Sequence, residues 1–409
     1  MKRRFLNWLY KCFNLYLPKN HQVIVLGNTK MESNAVEMAN YIHANYDIPV
    51  YYLVTRTFME SGKKILSPGI KLVEYGPRFR FILSTSKYVF STHPSSKGIF
   101  TGSLARKQVL VNVWHGVFYK NIRKLRGESG IPADVTVGTS ILTKKMFSEA
   151  FGVEPESVFI SGYPRNDIML RAHAESSVLK SRVKPDLNSY SKVLLWMPTF
   201  RRAESGDILK QGLEPNNPFQ VEGFDDDSFN ELLKSQNALC LIKPHYFGAD
   251  DIAFKKYSNI LVIDDDWIVQ QGITLYHLLA CMDALVTDYS SVIIDFLLLD
   301  KPVLCFSTDY ENYKNTQGLY FENFEDWIPT EFHRSQEDFF KAVEGILLTG
   351  EDGYEEKRQK LRDIFFTYKD AHSAERLCTQ VFKDQVKKRP TLNTSVEPQS
   401  NCLLEVQQH

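Results

Sequence analysis

Three stretches near the start of the chain decide its fold: VIVLG at residues 23–27, a helical stretch at residues 33–44, and VYYLV at residues 50–54. Short apolar runs bounded by polar residues favour buried strands, and the longer stretch between them has the length of a helix. More apolar runs follow at residues 88–90, 109–113, 135–137 and 158–160, with another helical stretch at residues 140–150. This alternation predicts a parallel α/β sheet with helices on both faces.

The same alternation starts again after residues 171–190, a polar segment with Pro185 that we interpret as a linker. Strands of a second sheet are predicted at residues 193–197, 239–242, 260–263, 284–286 and 302–306. Helices are predicted at residues 228–235, 275–282, 291–299, 336–347 and 355–368. The sequence therefore predicts two α/β domains, at residues 21–170 and 191–370, then a C-terminal helix within residues 371–389 and a disordered tail at residues 390–409.

The composition limits the class of protein. The 409 residues include 49 Lys and Arg, 49 Asp and Glu, and 43% hydrophobic residues, which is typical of globular domains. These numbers exclude a mostly disordered chain and a generally basic nucleic-acid coat, so we expect no nucleic-acid partner. The six cysteines are scattered without metal-type spacing, which favours a reducing compartment. The sequence contains no run of ~18 apolar residues, so it predicts no transmembrane helix.

The first twenty residues differ from the rest of the chain. They contain five Lys and Arg and no acidic residue, and Phe5, Leu9 and Phe13 recur at helical spacing. A basic, aromatic amphipathic helix can lie on an anionic membrane surface. The alternative is a helix that packs on the protein body with its basic face in water.

The first candidate site residue is His115, in the motif WHGVFYK at residues 114–120. A histidine directly after a strand can face a ligand cleft, and its ordinary pKa near neutrality suits a general base. Lys120, Arg123, Lys124 and Arg126 follow it and would attract anions. The alternative is a structural histidine beside a solvated basic helix.

Four more clusters follow strands, where α/β folds bind ligands. Arg165 in GYPRND could pair with phosphate, although an Arg close to its own Asp is more often structural. PTFRR at residues 198–202 and KPH at residues 243–245 could each be a surface turn, or Lys243 and His245 could form a phosphate clamp. In TDYSSVIID at residues 287–295, Ser290 and Ser291 precede a predicted helix whose N-terminus would attract an anion.

Acidic segments raise two further alternatives. Residues 203–227 contain seven acidic residues and one Lys, which predicts a solvated surface loop or, alternatively, a lid. The triplets at residues 225–227 and 264–266 could imitate a Mg²⁺ or Mn²⁺ site of a metal-dependent transferase, although surface loops of this kind are commoner. The chain has no Walker loop and no G-x-G-x-x-G motif, which argues against ATP or NAD as a cofactor.

The order WHG, GYPRND, PTFR, KPH, TDYSSVIID and KPVL-x4-D-x3-Y, over roughly residues 85–380, resembles the CDP-glycerol glycerophosphotransferases of teichoic-acid and capsule synthesis. The resemblance implies a GT-B-like fold, in which two Rossmann-like domains face a central cleft, with no metal or other cofactor. It implies an acceptor domain at residues 21–170 and a CDP-donor domain at residues 191–370. It also implies that His115 is the base and that His245 is the second essential histidine. The substrate contacts it implies are Trp114, His115, Gly116, Val117, Phe118, Arg165, Pro198, Thr199, Arg201, Lys243, Pro244, His245, Ser290, Ser291 and Asp295.

The activity implied is transfer of glycerol phosphate from CDP-glycerol to a hydroxyl of a lipid-linked cell-surface glycopolymer, with release of CMP, in the cytoplasm or at the cytoplasmic face of the membrane. A CDP-ribitol-using transferase, a GT-B glycosyltransferase using a nucleotide sugar and a nucleotide-binding assembly factor are the alternatives. After WHG the family has Thr-Pro-Leu-Lys where this chain has VFYK at residues 117–120, and Asp370-Ala371 replaces an Asp-Gly. The first departure lies where the acceptor would approach. The short sequence before the first α/β unit resembles compact, single-addition enzymes.

Overall fold

The computed structural model describes residues 14, 16–27, 31–93, 107–199, 217–244 and 255–389. Most of the predicted N-terminal helix, residues 203–216 of the acidic loop, and the C-terminal tail lie outside these residues. Two of the predicted site residues, Arg201 and His245, also lie outside them.

The first sheet contains seven parallel strands among the described residues, in the order β3-β2-β1-β4-β5-β6-β7. They are β1 (Asn20–Leu26), β2 (Val50–Leu53), β3 (Lys71–Val73), β4 (Ser86–Ser91), β5 (Val109–Asn112), β6 (Val135–Gly138) and β7 (Val158–Ile160). Every strand predicted in this half is present, whereas the three-residue β3 was not predicted. Because β4 lies beside β1, the winding direction reverses between these two strands, as in Rossmann-like sheets.

Helices cover this sheet: α1 (Ser33–Asn45), α2 (Met59–Ile65), α3 (Pro77–Thr85) and α4 (Ile141–Phe151). Local sequence explains the bounds of α4. Ser140 and Thr143 form a reciprocal capping box at its start, and Gly152 ends it in the left-handed conformation with φ of 64°. The predicted helices at residues 33–44 and 140–150 are therefore confirmed to within one residue.

The segment predicted to be a polar linker is largely helical. It contains the end of α5 (Pro164–Ala174), all of α6 (Ser176–Arg182) and a 3-10 turn at Leu187–Ser189. Leu179, Val183 and Leu187 are buried and fix the segment to the protein body. The segment does connect the two sheets, but these widely spaced apolar residues were too few to predict its helices.

The second sheet contains six parallel strands among the described residues, in the order β10-β9-β8-β11-β12-β13. They are β8 (Lys192–Met197), β9 (Ala238–Ile242), β10 (Ile260–Val262), β11 (Ala284–Thr287), β12 (Val303–Phe306) and β13 (Phe332–His333). Its helices are α7 (Asp226–Ser235), α8 (Asp265–Gln270), α9 (Leu275–Cys281), α10 (Val292–Phe296), α11 (Tyr310–Gln317), α12 (Gln336–Thr349) and α13 (Glu355–Phe365). The strand order repeats that of the first sheet, with the reversal between β8 and β11.

The last described helix, α14 (Ser373–Phe382), returns to the first half of the chain. The Phe382 ring contacts Tyr46 and Tyr88 edge to face, with centroids 4.9 and 4.8 Å apart. Asp167 accepts hydrogen bonds from the backbone N–H groups of Ser373 and Ala374. The C-terminal helix is therefore part of the packing of the first sheet.

The two halves share one buried apolar cluster, which includes Val111 and Phe147 of the first half and Leu285 and Phe365 of the second. The four cysteines among the described residues are buried free thiols. In the part of the chain that the structure describes, no helix has the length and apolar character needed to cross a membrane.

Candidate functional site

The loop after β5 has a strained backbone on both sides of His115. Trp114 has φ of 54°, which is unfavourable for a bulky side chain, and Gly116 has φ of 123°. The Asn34 side-chain amide donates to the Trp114 carbonyl at 3.2 Å, and the Asn112 side-chain oxygen accepts from the Trp114 N–H at 3.2 Å. Strain of this kind persists where surrounding contacts hold it, and it concentrates at functional sites.

Arg165 holds the other side of the same loop. Its Nη1 donates to the His115 carbonyl at 2.7 Å. A Cβ atom on Gly116 would lie 2.2 Å from Arg165 Nη2, so the guanidinium occupies the space that only glycine leaves open. The glycine of the motif WHG is therefore explained by the close approach of the Arg165 side chain, at the start of α5, to this loop.

The side chain of His115 is suited to accept a proton. Its Nδ1 lies 3.2 Å from the backbone carbonyl of Thr92, which can only accept a hydrogen bond. Nδ1 therefore carries the proton in the neutral ring, and Nε2 has the free lone pair. His115 is accessible to solvent, but desolvation by the surrounding protein, followed by the charges of His93, Arg165 and Lys120, lowers its pKa well below the ordinary value.

His93 is a site residue that the sequence analysis missed. It follows β4, and its ring stacks on the His115 ring with centroids 4.4 Å apart and planes 9° apart. Burial, and secondarily the charge of Arg123, lowers the pKa of His93 to about 4. Its position after an apolar strand could have marked His93 as a candidate site residue. The strand order that places it beside His115 could not be predicted from the sequence.

Arg165 and Asp295 form a buried ion pair that joins the two halves. Arg165 begins α5 after β7, and Asp295 lies in α10 after β11. The Tyr276 hydroxyl also donates to Asp295, at 2.7 Å, and Glu32 lies 3.9 Å from Arg165. Burial raises the pKa of Glu32 to about 7, against the opposing charge of Arg165. Both Arg165 and Asp295 thus have a structural partner, and their contact with substrate stays a prediction.

At the carboxyl edge of the second sheet, the loops after β8 and β11 are tied together. The Thr199 N–H donates to both carboxylate oxygens of Asp288, at 3.0 and 2.9 Å, and the Thr287 hydroxyl donates to the Met197 carbonyl at 2.6 Å. These loops lie where the winding direction reverses, which is where open α/β sheets bind ligands. The structure therefore brings the predicted residues Pro198 and Thr199 beside the loop of Ser290 and Ser291. Asp288, which joins them, was not predicted.

The predicted helix at residues 291–299 is present at residues 292–299, but only Val292–Phe296 is α-helical, and Leu297–Leu299 forms a 3-10 turn. The turn ends at Asp300, which has φ of 53°, just before Lys301 and Pro302. A helix of five residues has a weak dipole. Anion binding at Ser290 and Ser291 stays a prediction, and it would depend on their hydroxyls and backbone amides rather than on a long helix.

Lys243 ends β9 as a buried cation. Its Nζ lies 2.9 Å from Asp265 Oδ1, and Pro244 after it is buried. Asp264 accepts from the Trp267 N–H and caps α8, while Asp225 caps α7 and Asp227 pairs with Lys255. The described residues contain no group of three His, Cys, Asp or Glu side chains placed to hold a metal ion.

The residues that replace the family's Thr-Pro-Leu lie at the junction between the halves. Val117, Phe118 and Tyr119 are buried. The Tyr119 hydroxyl donates to the Trp327 carbonyl at 2.9 Å, and the Tyr320 N–H donates to the Tyr119 carbonyl at 2.6 Å. Val117 and Phe118 were predicted to contact substrate, and their side chains are buried in the core. A contact between substrate and the backbone of these two residues stays a prediction.

Known proteins resemble this chain along most of its length. The teichoic acid ribitol-phosphate polymerase TarK of Staphylococcus aureus is 27% identical over 321 residues, which are 75% of this chain and 58% of TarK. The teichoic acid poly(glycerol phosphate) polymerase of Bacillus spizizenii is 23% identical over 350 residues, which are 80% of this chain and 84% of that protein. The chain thus spans little more than half the length of TarK.

Among solved structures, a variant of the wall teichoic acid polymerase TagF soaked with CDPG superposes with a TM-score of 0.74. Its sequence is 19% identical, and the match covers 93% of this chain and 92% of that chain. The similarity confirms the predicted GT-B-like fold with two Rossmann-like domains.

The family model described as CDP-Glycerol:Poly(glycerophosphate) glycerophosphotransferase matches residues 9–383, so it includes both sheets, the His115 loop and α14. The motifs that carried the resemblance all fall within this match. The chain belongs to the CDP-glycerol:poly(glycerophosphate) glycerophosphotransferase family.

Proposed function

We propose that this chain transfers glycerol phosphate from CDP-glycerol to a hydroxyl of a lipid-linked teichoic-acid-like or capsule glycopolymer, with CMP as the leaving group. The observation that carries the proposal is the state of His115, a solvent-accessible imidazole with Nδ1 committed to a backbone carbonyl and Nε2 left to accept a proton. Membership in the family and the names of the similar teichoic acid enzymes support the choice of substrate class.

The proposed step is one displacement at phosphorus. His115 Nε2 removes the proton of the acceptor hydroxyl while the hydroxyl oxygen attacks the phosphorus that bears glycerol. The bond from this phosphorus to the bridging oxygen breaks, and that oxygen leaves with CMP, which takes the electron pair. The products are CMP, the acceptor extended by one glycerol phosphate, and a protonated His115 that returns its proton to water.

Positive groups near this step would stabilise the charge on the phosphates. Burial is the larger cause of the lowered pKa values of His115 and His93, and the charge of Lys120 adds to the first and that of Arg123 to the second. At the edge of the second sheet, Lys243, Ser290 and Ser291 offer a cation and hydroxyl donors. Because such a displacement offers little covalent chemistry to the protein, positioning and charge stabilisation must supply most of the acceleration.

A donor panel tests the proposed substrate. CDP-glycerol, CDP-ribitol, UDP-sugars and CMP-sugars are each assayed for nucleotide release with lipid-linked and soluble acceptors. We expect CMP release from CDP-glycerol that depends on the acceptor. Preferred turnover of CDP-ribitol, the substrate suggested by the name of TarK, would replace glycerol by ribitol in the proposal. Turnover of nucleotide sugars alone would contradict it, as would binding of CDP-glycerol without CMP release.

The acid side of the pH profile is expected at unusually low pH. A base with a lowered pKa stays neutral as the pH falls below 6.5. We therefore expect kcat/KM to stay constant from pH 8 to below 6.5 and to fall only in more acidic solution. Bound diphosphate stabilises the imidazolium, so the fall in kcat should occur at higher pH than the fall in kcat/KM. A kcat/KM profile that is half-maximal at or above pH 6.5 would contradict the assignment of His115.

We also propose that the enzyme works at the cytoplasmic face of the membrane, with residues 1–20 on anionic lipid. Lys19, within this segment, donates to the Ser84 carbonyl at the end of α3. Tyr16 of the same segment is 88% exposed, and Phe81 of α3 is 59% exposed, with Arg78 exposed in the same helix. Aromatic and basic side chains together suit a lipid interface. Flotation with phosphatidylglycerol vesicles tests this, and equal binding to phosphatidylcholine vesicles would contradict it.

A further inference from the structure

The histidines that follow two adjacent strands stack on each other at the carboxyl edge of the first sheet. β4 and β5 pair in parallel, with Ser91 beside Asn112, and His93 and His115 follow the ends of these strands. The two rings are nearly parallel at a centroid distance of 4.4 Å, while the Trp114 ring lies 4.0 Å from the His115 ring. His115 therefore contacts a second imidazole that the step proposed above does not use.

Thr92 connects the two rings. Its backbone carbonyl accepts the hydrogen bond from His115 Nδ1 at 3.2 Å, and its hydroxyl lies 2.9 Å from His93 Nδ1. The His93 backbone N–H donates to the Ser91 hydroxyl at 3.2 Å, which fixes the backbone that carries the ring. The end of β4 thus supplies both the hydrogen-bond acceptor and the stacking partner of His115.

We propose that His93 is a positioning residue for His115: its stacked ring fixes the orientation of the His115 imidazole and disfavours its protonation before the acceptor arrives. This inference rests on the proposed function only for the role of His115 as the base. The contact itself, and its effect on the His115 ring, can be measured without turnover.

The charges around the pair explain why the stack favours neutral rings. Besides burial, the positive charges of Arg165 and Lys120 lower the pKa of His115, and that of Arg123 lowers the pKa of His93. Two stacked imidazolium rings would repel each other as well. Protonation of either ring therefore disfavours protonation of the other, and the pair stays neutral at physiological pH.

Two substitutions at residue 93 distinguish the effect of ring stacking on His115 from the effect of charge. His93→Phe keeps a flat ring against His115 but cannot take a proton, whereas His93→Ala removes the ring. We expect the Phe variant to keep kcat at pH 8 within about threefold, and the Ala variant to lose ~10-fold to 10²-fold in kcat because His115 is misplaced. The KM for CDP-glycerol should change by less than about threefold in both, since the groups proposed to bind the donor phosphates, Lys243, Ser290 and Ser291, are unchanged. His21→Ala, at an exposed histidine on β1, is the matched control.

The state of His115 is read directly by NMR on protein labelled at its histidine rings, with the His115 signals assigned by their loss in His115→Ala. We expect the pKa of His115 to be higher in His93→Phe than in wild type, because the charge that residue 93 can carry is removed. We expect it to be higher still in His93→Ala, because the ring that shields His115 from water is removed as well. If the His115 pKa and tautomer are unchanged in both variants, or if His93→Ala keeps wild-type kcat, the inference is wrong. Wild-type turnover of His115→Ala would instead overturn the proposed function, and the NMR titration would still decide the effect of His93. Should the Ala variant not fold, the Phe variant decides alone.

Discussion

Replacing His115 by alanine is expected to lower the rate of CMP release from CDP-glycerol by ~10²-fold or more. The substitution removes the proposed base and leaves the backbone of the loop in place. The strained positions are Trp114 and Gly116 on either side, so alanine at residue 115 adds no strain of its own. Because a base acts in the transition state, kcat should fall much more than the KM for CDP-glycerol changes. The measurement is steady-state CMP release with a saturating acceptor.

Two controls accompany this measurement. The thermal unfolding curve of His115→Ala should match that of wild type, since an exposed side chain with one hydrogen bond to a carbonyl adds little to stability. His21→Ala, which alters a histidine outside the site, should keep full activity. Near-wild-type turnover of His115→Ala with the right donor and acceptor would remove His115 from the mechanism.

The second large effect concerns the Arg165–Asp295 pair. Arg165→Met leaves the Asp295 carboxylate buried with only the Tyr276 hydroxyl as a named donor, and loss of one partner of a buried pair costs about 3–5 kcal/mol in the free energy of unfolding. It also removes the donor to the His115 carbonyl, so activity should fall as well. Urea unfolding curves measure the first effect, and CMP release measures the second.

A double variant separates these two effects. In Arg165→Met with Asp295→Asn, the buried charge at residue 295 is removed together with its cation, and the asparagine oxygen can still accept from Tyr276. We expect this variant to regain most of the lost stability but not the lost activity, because the His115 loop still has no guanidinium beneath it. Lys180→Met is the matched control, since Lys180 and Asp283 also join the halves but are partly solvated and should contribute less. Equal stability of Arg165→Met and wild type would contradict the structural role.

The regular part of the fold followed from the sequence because its strands are nearly uniform apolar runs. VIVL, VLLW and ALCLI are buried throughout, and such runs favour a parallel sheet covered on both faces. Short strands gave no such signal. The two residues of β13 and the three of β3 are strands because neighbouring strands offer them hydrogen bonds, which is a property of the tertiary structure.

The candidate site was predictable where one segment carries the chemistry, as in the loop of His115. It was not predictable where two distant segments meet. Arg165 was predicted as a phosphate ligand, and its partner Asp295 lies 130 positions further along the chain. The sequence shows that His93 follows an apolar strand, but only the order of strands in the sheet shows that β4 lies next to β5. Substrate contacts of the other predicted residues stay predictions.

The return of α14 to the first sheet has a consequence for how the protein is made. Strands β1–β7 leave the ribosome early, but the aromatic ring that packs on Tyr46 and Tyr88 belongs to Phe382, translated roughly 200 residues later. At ~5–20 residues per second, the nascent first half waits about 10–40 seconds with this apolar surface open to solvent. Folding from the N-terminus during translation therefore stops short of completion, and the first sheet acquires its full packing only when the last helix emerges.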